Sequence, residues 1–313
     1  MALIAGETLH VHFLGTAGAL PTPQRNPSCI MVRRGSDTLL FDCGEGAQQQ
    51  MMRARTGFTI DAIFITHWHA DHYLGLFGLL ETMGFNGRVD PITIYGPRRI
   101  HDMVSVILRL NNTPGFPIEA SEVEDGVPVF FDGYRVIPFA TRHGCDSFGY
   151  ILKENERPGR FNREAAISLG VPPGPLFGRL QRGETVSVRD ERDEREVRPD
   201  QVMGPPRPGR TVVYTGDTRP MNTWPESAYG ADLLIHDATF DDAEAKRADE
   251  VFHATAGDAG VAARDLGAVR LALVHISSRY TQTASHIQDA KKQYSGDVLF
   301  PDDCTMIEIP FRD

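Results

Sequence analysis

Cysteine is scarce in this chain of 313 residues: Cys29, Cys43, Cys145 and Cys304 are its full complement, with no CxxC spacing. That argues against a disulfide framework and against a thiolate zinc cage, so most of these side chains read as small buried residues. No apolar run approaches the ~20 residues that span a bilayer. The opening, Met1 to Glu7, has neither the basic start nor the apolar stretch of a signal peptide, so the expected location is the cytoplasm, with no membrane partner. Lysine is nearly missing too. Only Lys153, Lys246, Lys291 and Lys292 occur, and the remainder of the 32 basic residues are arginine. This bias suits phosphate recognition by planar forks and fits equally a GC-rich genome or adaptation to salt. Nor is there a surplus of positive charge. A net charge of −10 repels nucleic acid in general, so a nucleic-acid function demands a local basic surface.

What is present is ordinary for a globular chain, 41% hydrophobic and 24% charged, with length enough for one large α/β domain or two smaller ones. Leu9 to Leu14, Ser28 to Arg33 and Thr38 to Asp42 read as strands between Gly, Pro and Asn turns, and Gly46 to Arg55 reads as a helix. A strand at Ala62 to Thr66 then leads into a polar loop, His67 to His72, and a helix from Leu74 to Met83. Further strands are expected at Ile92 to Tyr95, Val127 to Phe131, Tyr134 to Phe139 and Phe148 to Leu152, and a second α/β half runs from Thr211 onward. Between Lys153 and Arg210 the composition turns to Pro, Gly and charge, with a mixed-charge run at Arg189 to Glu196. Phe161, Ile167, Leu169, Leu176, Phe177 and Leu180 supply apolar groups there, so the segment reads either as a disordered linker or as an inserted arm. No internal repeat is present.

The densest chemical signal is His67-Trp68-His69-Ala70-Asp71-His72, four potential metal ligands in six residues directly after an apolar strand. On a tight loop such a cluster suits two ions a few ångströms apart better than one tetrahedral ion. Closing groups stand after later apolar runs: His143 after Val136 to Ala140, Asp217 after Thr211 to Val213, and His275 after Leu271 to Val274.

These segments, with Phe13-Leu14-Gly15-Thr16, Asp42-Cys43-Gly44-Glu45-Gly46, Ser147-Phe148-Gly149-Tyr150, Thr215-Gly216-Asp217-Thr218, His236-Asp237-Ala238-Thr239-Phe240, His253-Ala254-Thr255-Ala256 and His275-Ile276-Ser277-Ser278-Arg279-Tyr280, resemble the metallo-β-lactamase superfamily, and specifically its ribonuclease Z family of the short form. The resemblance covers almost the whole chain. It departs from the family at Asp237, where the HEATF pattern has glutamate, and at Pro23, where the PxKxRN loop has lysine. It implies a four-layer αβ/βα sandwich in two halves, residues 1–152 and 211–313, with residues 153–210 as an inserted substrate-binding exosite arm. It also implies two Zn2+ per chain, one held by His67, His69, His143 and Asp217 and the other by Asp71, His72, His275 and the shared Asp217. The activity implied is removal of the 3′ trailer from precursor tRNA, the partners being that RNA and a second copy of the chain in a homodimer. Asp71 becomes the proton acceptor and His253 the proton donor to the leaving oxygen, with Asp237 orienting it. His253 also fits an ordinary residue at the start of a helix. Arg25 and Arg279 are candidate phosphate contacts, and Ser277 and Ser278 serve either phosphate or a helix cap. The rival readings are a hydrolase of small esters and a nucleic-acid-binding module with structural zinc; the inserted segment counts against the first and Asp71 against the second.

Overall fold

Alternation along the strands decides the layering, because every second side chain points the same way. Val11, Phe13, Ile30, Val32, Leu39, Phe41 and Phe64 face one core, whereas Leu14, Met31, Leu40, Ile63, Ile65 and Ile94 face another. A sheet that is apolar on both faces must be covered on both. The computed structural model describes residues 7–110, 115–189 and 194–312; the centre of the mixed-charge run, residues 190–193, lies outside the described residues.

Two seven-stranded sheets result. The first runs, in spatial order, Thr305–Glu308, Leu9–Gly15, Cys29–Arg34, Asp37–Phe41, Ala62–Phe64, Ile92–Gly96 and Ile118–Glu122. Its pairings are antiparallel as far as Asp37–Phe41 and parallel beyond it. The second runs Asp297–Leu299, Arg270–Val274, Leu233–Asp237, Thr211–Tyr214, Phe148–Glu154, Tyr134–Ala140 and Val129–Phe131. Phe41, Phe64 and Phe13 of the first meet Tyr134, Tyr150 and Tyr214 of the second in the central core, where the Phe41 and Phe64 rings stack at 5.2 Å. Helices Ala47–Ala54, Gly75–Phe85 and Ile100–Leu110 cover the outer face of the first sheet. Helices Ala256–Leu266 and Ala284–Gln293 cover that of the second. Helix, sheet, sheet, helix is the four-layer αβ/βα sandwich expected. Each large side chain so buried contributes about 1.5–3 kcal/mol.

Two local expectations change. The polar loop is shorter, because Ala70–Tyr73 winds into a helical turn that carries Asp71 and His72. The strand Ile118–Glu122 was not anticipated, since three of its five residues are polar; it sits at a sheet edge, where no buried alternation is required.

The layered unit comprises residues 8–153 and 210–310. Residues 154–209, with residues 7 and 311–312, form a second compact unit. Its core is Ala166, Val171, Leu180, Val186, Val188, Val197 and Val202. Helices Arg163–Ser168 and Pro175–Gln181 and the hairpin Val186–Arg189 with Glu194–Val197 enclose that core. Asn162 caps the first helix by accepting from the Ala165 amide at 2.9 Å, and the Arg157 guanidinium lies 3.7 Å above the Phe311 ring.

Candidate metal centre

Strands of both sheets end at one place, and the residues that follow them carry the donors. His67 and His69 follow Ala62–Phe64; Asp71 and His72 lie on the next helical turn; His143 follows Tyr134–Ala140, Asp217 follows Thr211–Tyr214, and His275 follows Arg270–Val274. Among the described residues four overlapping groups of ligand atoms form, each within 4.8 Å of one another: His67, His69, His143 and Cys145; His67, His72 and Asp217; Asp71, His72 and His275; and Asp217, Asp237, His253 and His275. Asp217 belongs to two of them. Its Oδ2 is 3.6 Å from His67 Nε2 and 3.9 Å from His143 Nε2, while its Oδ1 is 3.4 Å from His72 Nε2 and 3.3 Å from His275 Nε2. One carboxylate thus turns a different oxygen to each donor set.

Second contacts fix the rings. His72 Nδ1 donates to Asp42 Oδ2 at 2.8 Å, leaving Nε2 to face the cluster. Asp42 is wholly buried in a left-handed conformation, φ 57°, held by the Thr66 amide at 2.8 Å and the Tyr214 hydroxyl at 2.8 Å. His143 Nδ1 donates to the Phe252 carbonyl at 2.8 Å, and His275 Nδ1 meets Thr239 Oγ1 at 2.8 Å. The Ala19 amide donates to Asp71 Oδ2 at 2.9 Å. Ala19, Phe252 and His275 also have positive φ, conformations that cost energy outside glycine and persist where the surroundings over-determine them. Two glycines let the chain close in: a Cβ on Gly18 would stand 2.7 Å from the His275 carbonyl oxygen, and one on Gly44 2.4 Å from that of Asp71.

His72 Nε2 and Asp217 Oδ1 are buried without a hydrogen-bond partner. Such orphaned atoms are costly unless something else meets them. Asp42, Asp71, Asp217 and Asp237 converge where little water reaches, a charge surplus that two divalent cations would close. Imidazole and carboxylate donors suit zinc and also iron or manganese. The residues therefore fit a two-metal group. Burial works against the charge on His72, but Asp217 and Asp42 overcome it and hold its pKa well above the ordinary value. Burial, together with His72, depresses His67 far below its own.

His253 stands beside the donors, its ring stacked on His275 at 5.0 Å. It stands two residues before Thr255, which with Asp258 caps Ala256–Leu266 reciprocally, and its Nδ1 meets Asp237 Oδ2 at 2.8 Å. Asp237 is buried and further held by the Thr218 amide at 3.0 Å and the Thr239 hydroxyl. Burial alone would lower the His253 pKa; the charge and hydrogen bond of Asp237 outweigh it and raise it to about 9.

Other expectations change. Arg25 is turned inward, bonding Thr16, the Pro301 carbonyl at 2.8 Å and Asp302 at 2.7 Å. Arg279 is half exposed, pairs with Glu244 at 3.2 Å and covers the Phe240 ring. Ser277 and Ser278 cap no helix, because Ile276–Ser277 is a short strand paired with Ala17–Gly18 and the next helix starts at Ala284. Only Cys29 and Cys43 are buried cysteines; Cys145 is exposed beside the donors. Asp42 had no role assigned from sequence, although its DCGEG segment directly follows a strand that reaches the site.

The description "Metallo-beta-lactamase superfamily" matches residues 22–150, and "Beta-lactamase superfamily domain" matches residues 200–276. A ribonuclease Z of Methanosarcina acetivorans is 48% identical over 97% of this chain and 99% of its own. One of Halorubrum lacusprofundi is 50% identical over 98% and 99%. Among solved structures, human tRNase Z, short form, superposes with a TM-score of 0.67 and 26% identity over 96% of this chain and 100% of its own. Bacillus subtilis YhfI, a metallo-β-lactamase fold protein, reaches 0.68 at 18% identity over 96% and 99%, a likeness of fold.

Proposed function

We propose that this chain, which belongs to the ribonuclease Z family of tRNA 3′-processing endoribonucleases, removes the 3′ trailer from precursor tRNA with two zinc ions bound at the donors described above. The observation that carries this reading is the placement of Asp217, one oxygen toward His67 and His143 and the other toward His72 and His275. His67, His69, His143 and Asp217 would hold one ion, and Asp71, His72, His275 and Asp217 the other. When bound, the pair would supply an activated water and neutralise charge developing on the phosphoryl oxygens.

The protein's own groups do the remainder. Asp71 receives or orients the proton of the attacking water, its carboxylate placed by the Ala19 amide at 2.9 Å. His253 donates a proton to the leaving 3′ oxygen, and Asp237 keeps the imidazole charged and aimed. The cut falls 3′ of the discriminator base and leaves a 3′-hydroxyl on the tRNA and a 5′-phosphate on the trailer. The 154–209 unit grips the body of the RNA, and Arg279 contacts phosphate. The enzyme works as a homodimer in the cytoplasm, a pairing that light scattering tests; among the described residues no helix is long and apolar enough to cross a membrane. Incubation with a 3′-extended tRNA and mapping of both new ends tests the reaction. Cutting elsewhere, or a 3′-phosphate on the tRNA, overturns it.

A further inference from the structure

Thr239 follows the strand Leu233–Asp237 by two residues and is buried, and its hydroxyl is met from three sides. Oγ1 lies 2.6 Å from Asp237 Oδ1, 2.8 Å from His275 Nδ1 and 3.1 Å from His253 Nδ1. A hydroxyl has one proton to give and two lone pairs with which to receive. An ionised carboxylate only accepts, so the proton goes to Asp237 and both imidazoles donate to the same oxygen. That places the hydrogen of each ring. His275 carries it on Nδ1, leaving Nε2 to face Asp71 and Asp217 at 3.4 and 3.3 Å. His253 shares its Nδ1 hydrogen between Thr239 and Asp237 Oδ2, the latter at 2.8 Å, leaving Nε2 for the substrate. Hung from one oxygen, the two rings lie nearly parallel, 19° apart with centroids at 5.0 Å. The residue that carries this oxygen is itself held: the Thr239 amide donates to Asp237 Oδ1 at 2.9 Å, and its carbonyl accepts from the Ser277 amide at 3.2 Å.

We propose that Thr239 is a positioning residue whose one hydroxyl fixes the aim of two imidazoles with different tasks, His275 as a metal ligand and His253 as the proton donor. The inference rests on the two-metal reading and on the role of His253 given above. A ring that loses its outer hydrogen bond regains rotation and the choice of which nitrogen carries the hydrogen, and such a loss costs about ten- to a hundredfold in metal affinity or activity. Because both rings depend on the same oxygen, removing it should weaken metal binding and proton delivery together. No other single side chain among the described residues bonds the Nδ1 of both rings.

The test compares Thr239→Val with Thr239→Ser in the full-length protein. Valine keeps the shape and removes the hydroxyl. Asp237 retains the Thr218 amide at 3.0 Å and the amide of residue 239, so the loop should hold; Thr239→Ala removes the same hydroxyl if the valine variant does not fold. In chelator competition, one of the two zinc ions should leave Thr239→Val about tenfold more readily than the native chain, and the other as before. With both positions filled by excess zinc, kcat on precursor tRNA should fall about tenfold with KM unchanged, because proton delivery is made only in the transition state. An activated phosphodiester whose leaving group needs no proton should then be cleaved at close to the native rate. Serine should restore zinc retention and precursor turnover alike. Native behaviour of Thr239→Val in both measurements, or a loss in only one of them, overturns the shared role. An equal loss in Thr239→Ser assigns the effect to packing of the methyl group and overturns it too. Failure of the native chain to bind two zinc ions or to cut the precursor overturns the reading above and this inference with it.

Discussion

The donor pocket and the 154–209 unit are built differently. In the pocket, contacts join residues remote in sequence: Asp42 with Tyr214, Asp71 with His275, His143 with Phe252. In the other unit remote polar contacts such as Arg157 with Pro208 and Arg207 with Pro158 stand beside local pairs such as Arg179 with Glu184 and Arg198 with Asp200, and those ion pairs are about half exposed or more, each worth little. Groups that must hold a reacting phosphate to within a fraction of an ångström need the long-range packing. A surface that only gathers binding energy does not. The charges divide similarly: residues 153–210 carry twelve basic against ten acidic residues in a chain of net −10, so that segment is its relatively cationic part.

The comparison breaks first if chemistry survives loss of a pocket carboxylate. Asp71→Ala removes a donor and the proton acceptor together, and precursor cleavage should fall about a thousandfold or more, at 1.36 kcal/mol per tenfold. Activity within tenfold of the native enzyme at full metal occupancy would refute that role. Next, Asp217→Ala should deplete both metal positions and His143→Ala chiefly one, because only the former side chain faces both sets. Equal single-site losses by elemental analysis would refute the shared position.

The second unit sharpens the contrast from the other side. Replacing residues 155–206 with a short Gly/Ser linker should leave hydrolysis of a small activated phosphodiester nearly intact. On precursor tRNA, kcat/KM should fall by about a hundredfold, because remote binding energy no longer positions the scissile phosphate. The salt dependence of RNA binding should flatten as fewer phosphates are neutralised. A folded variant that processes the precursor at the native rate would show that the unit does not grip the substrate.

How much was legible follows the same division. His67, His69, Asp71 and His72 are recognisable because they are close in sequence and follow an apolar strand. His143, Asp217 and His275 could be anticipated because each follows another such strand. The four-layer sandwich was anticipated through the family resemblance of the motifs, not from strand alternation, which Asp37–Phe41 lacks because nearly all of it is buried. Asp42 was not, because a lone aspartate after a strand has many uses until folding brings Thr66, His72 and Tyr214 to it. The partners of Arg25 could not be read from the sequence, because Asp302 lies 277 positions away.

The smallest expected effect isolates a single proton. A donor acts only while protonated, so with its pKa raised to about 9, His253 is competent at neutral pH and loses competence as pH rises through that value. Precursor cleavage should therefore show an alkaline limb near 9. Asp237→Asn removes the charge that lifts His253, leaving burial to lower it, so the limb must move to lower pH. A fall from about 9 to the ordinary value near 6.5 cuts the protonated fraction at pH 8 by roughly thirtyfold. The deficit should shrink as pH falls toward 5.5, where a growing share of His253 in the variant is charged. The control is an activated phosphodiester whose leaving group departs as a stable anion and needs no donor: its cleavage should ignore the substitution across the same range. If both substrates lose activity equally, or the limb on precursor tRNA stays at about 9 with metal content unchanged, Asp237 supports the fold and does not set the proton on His253.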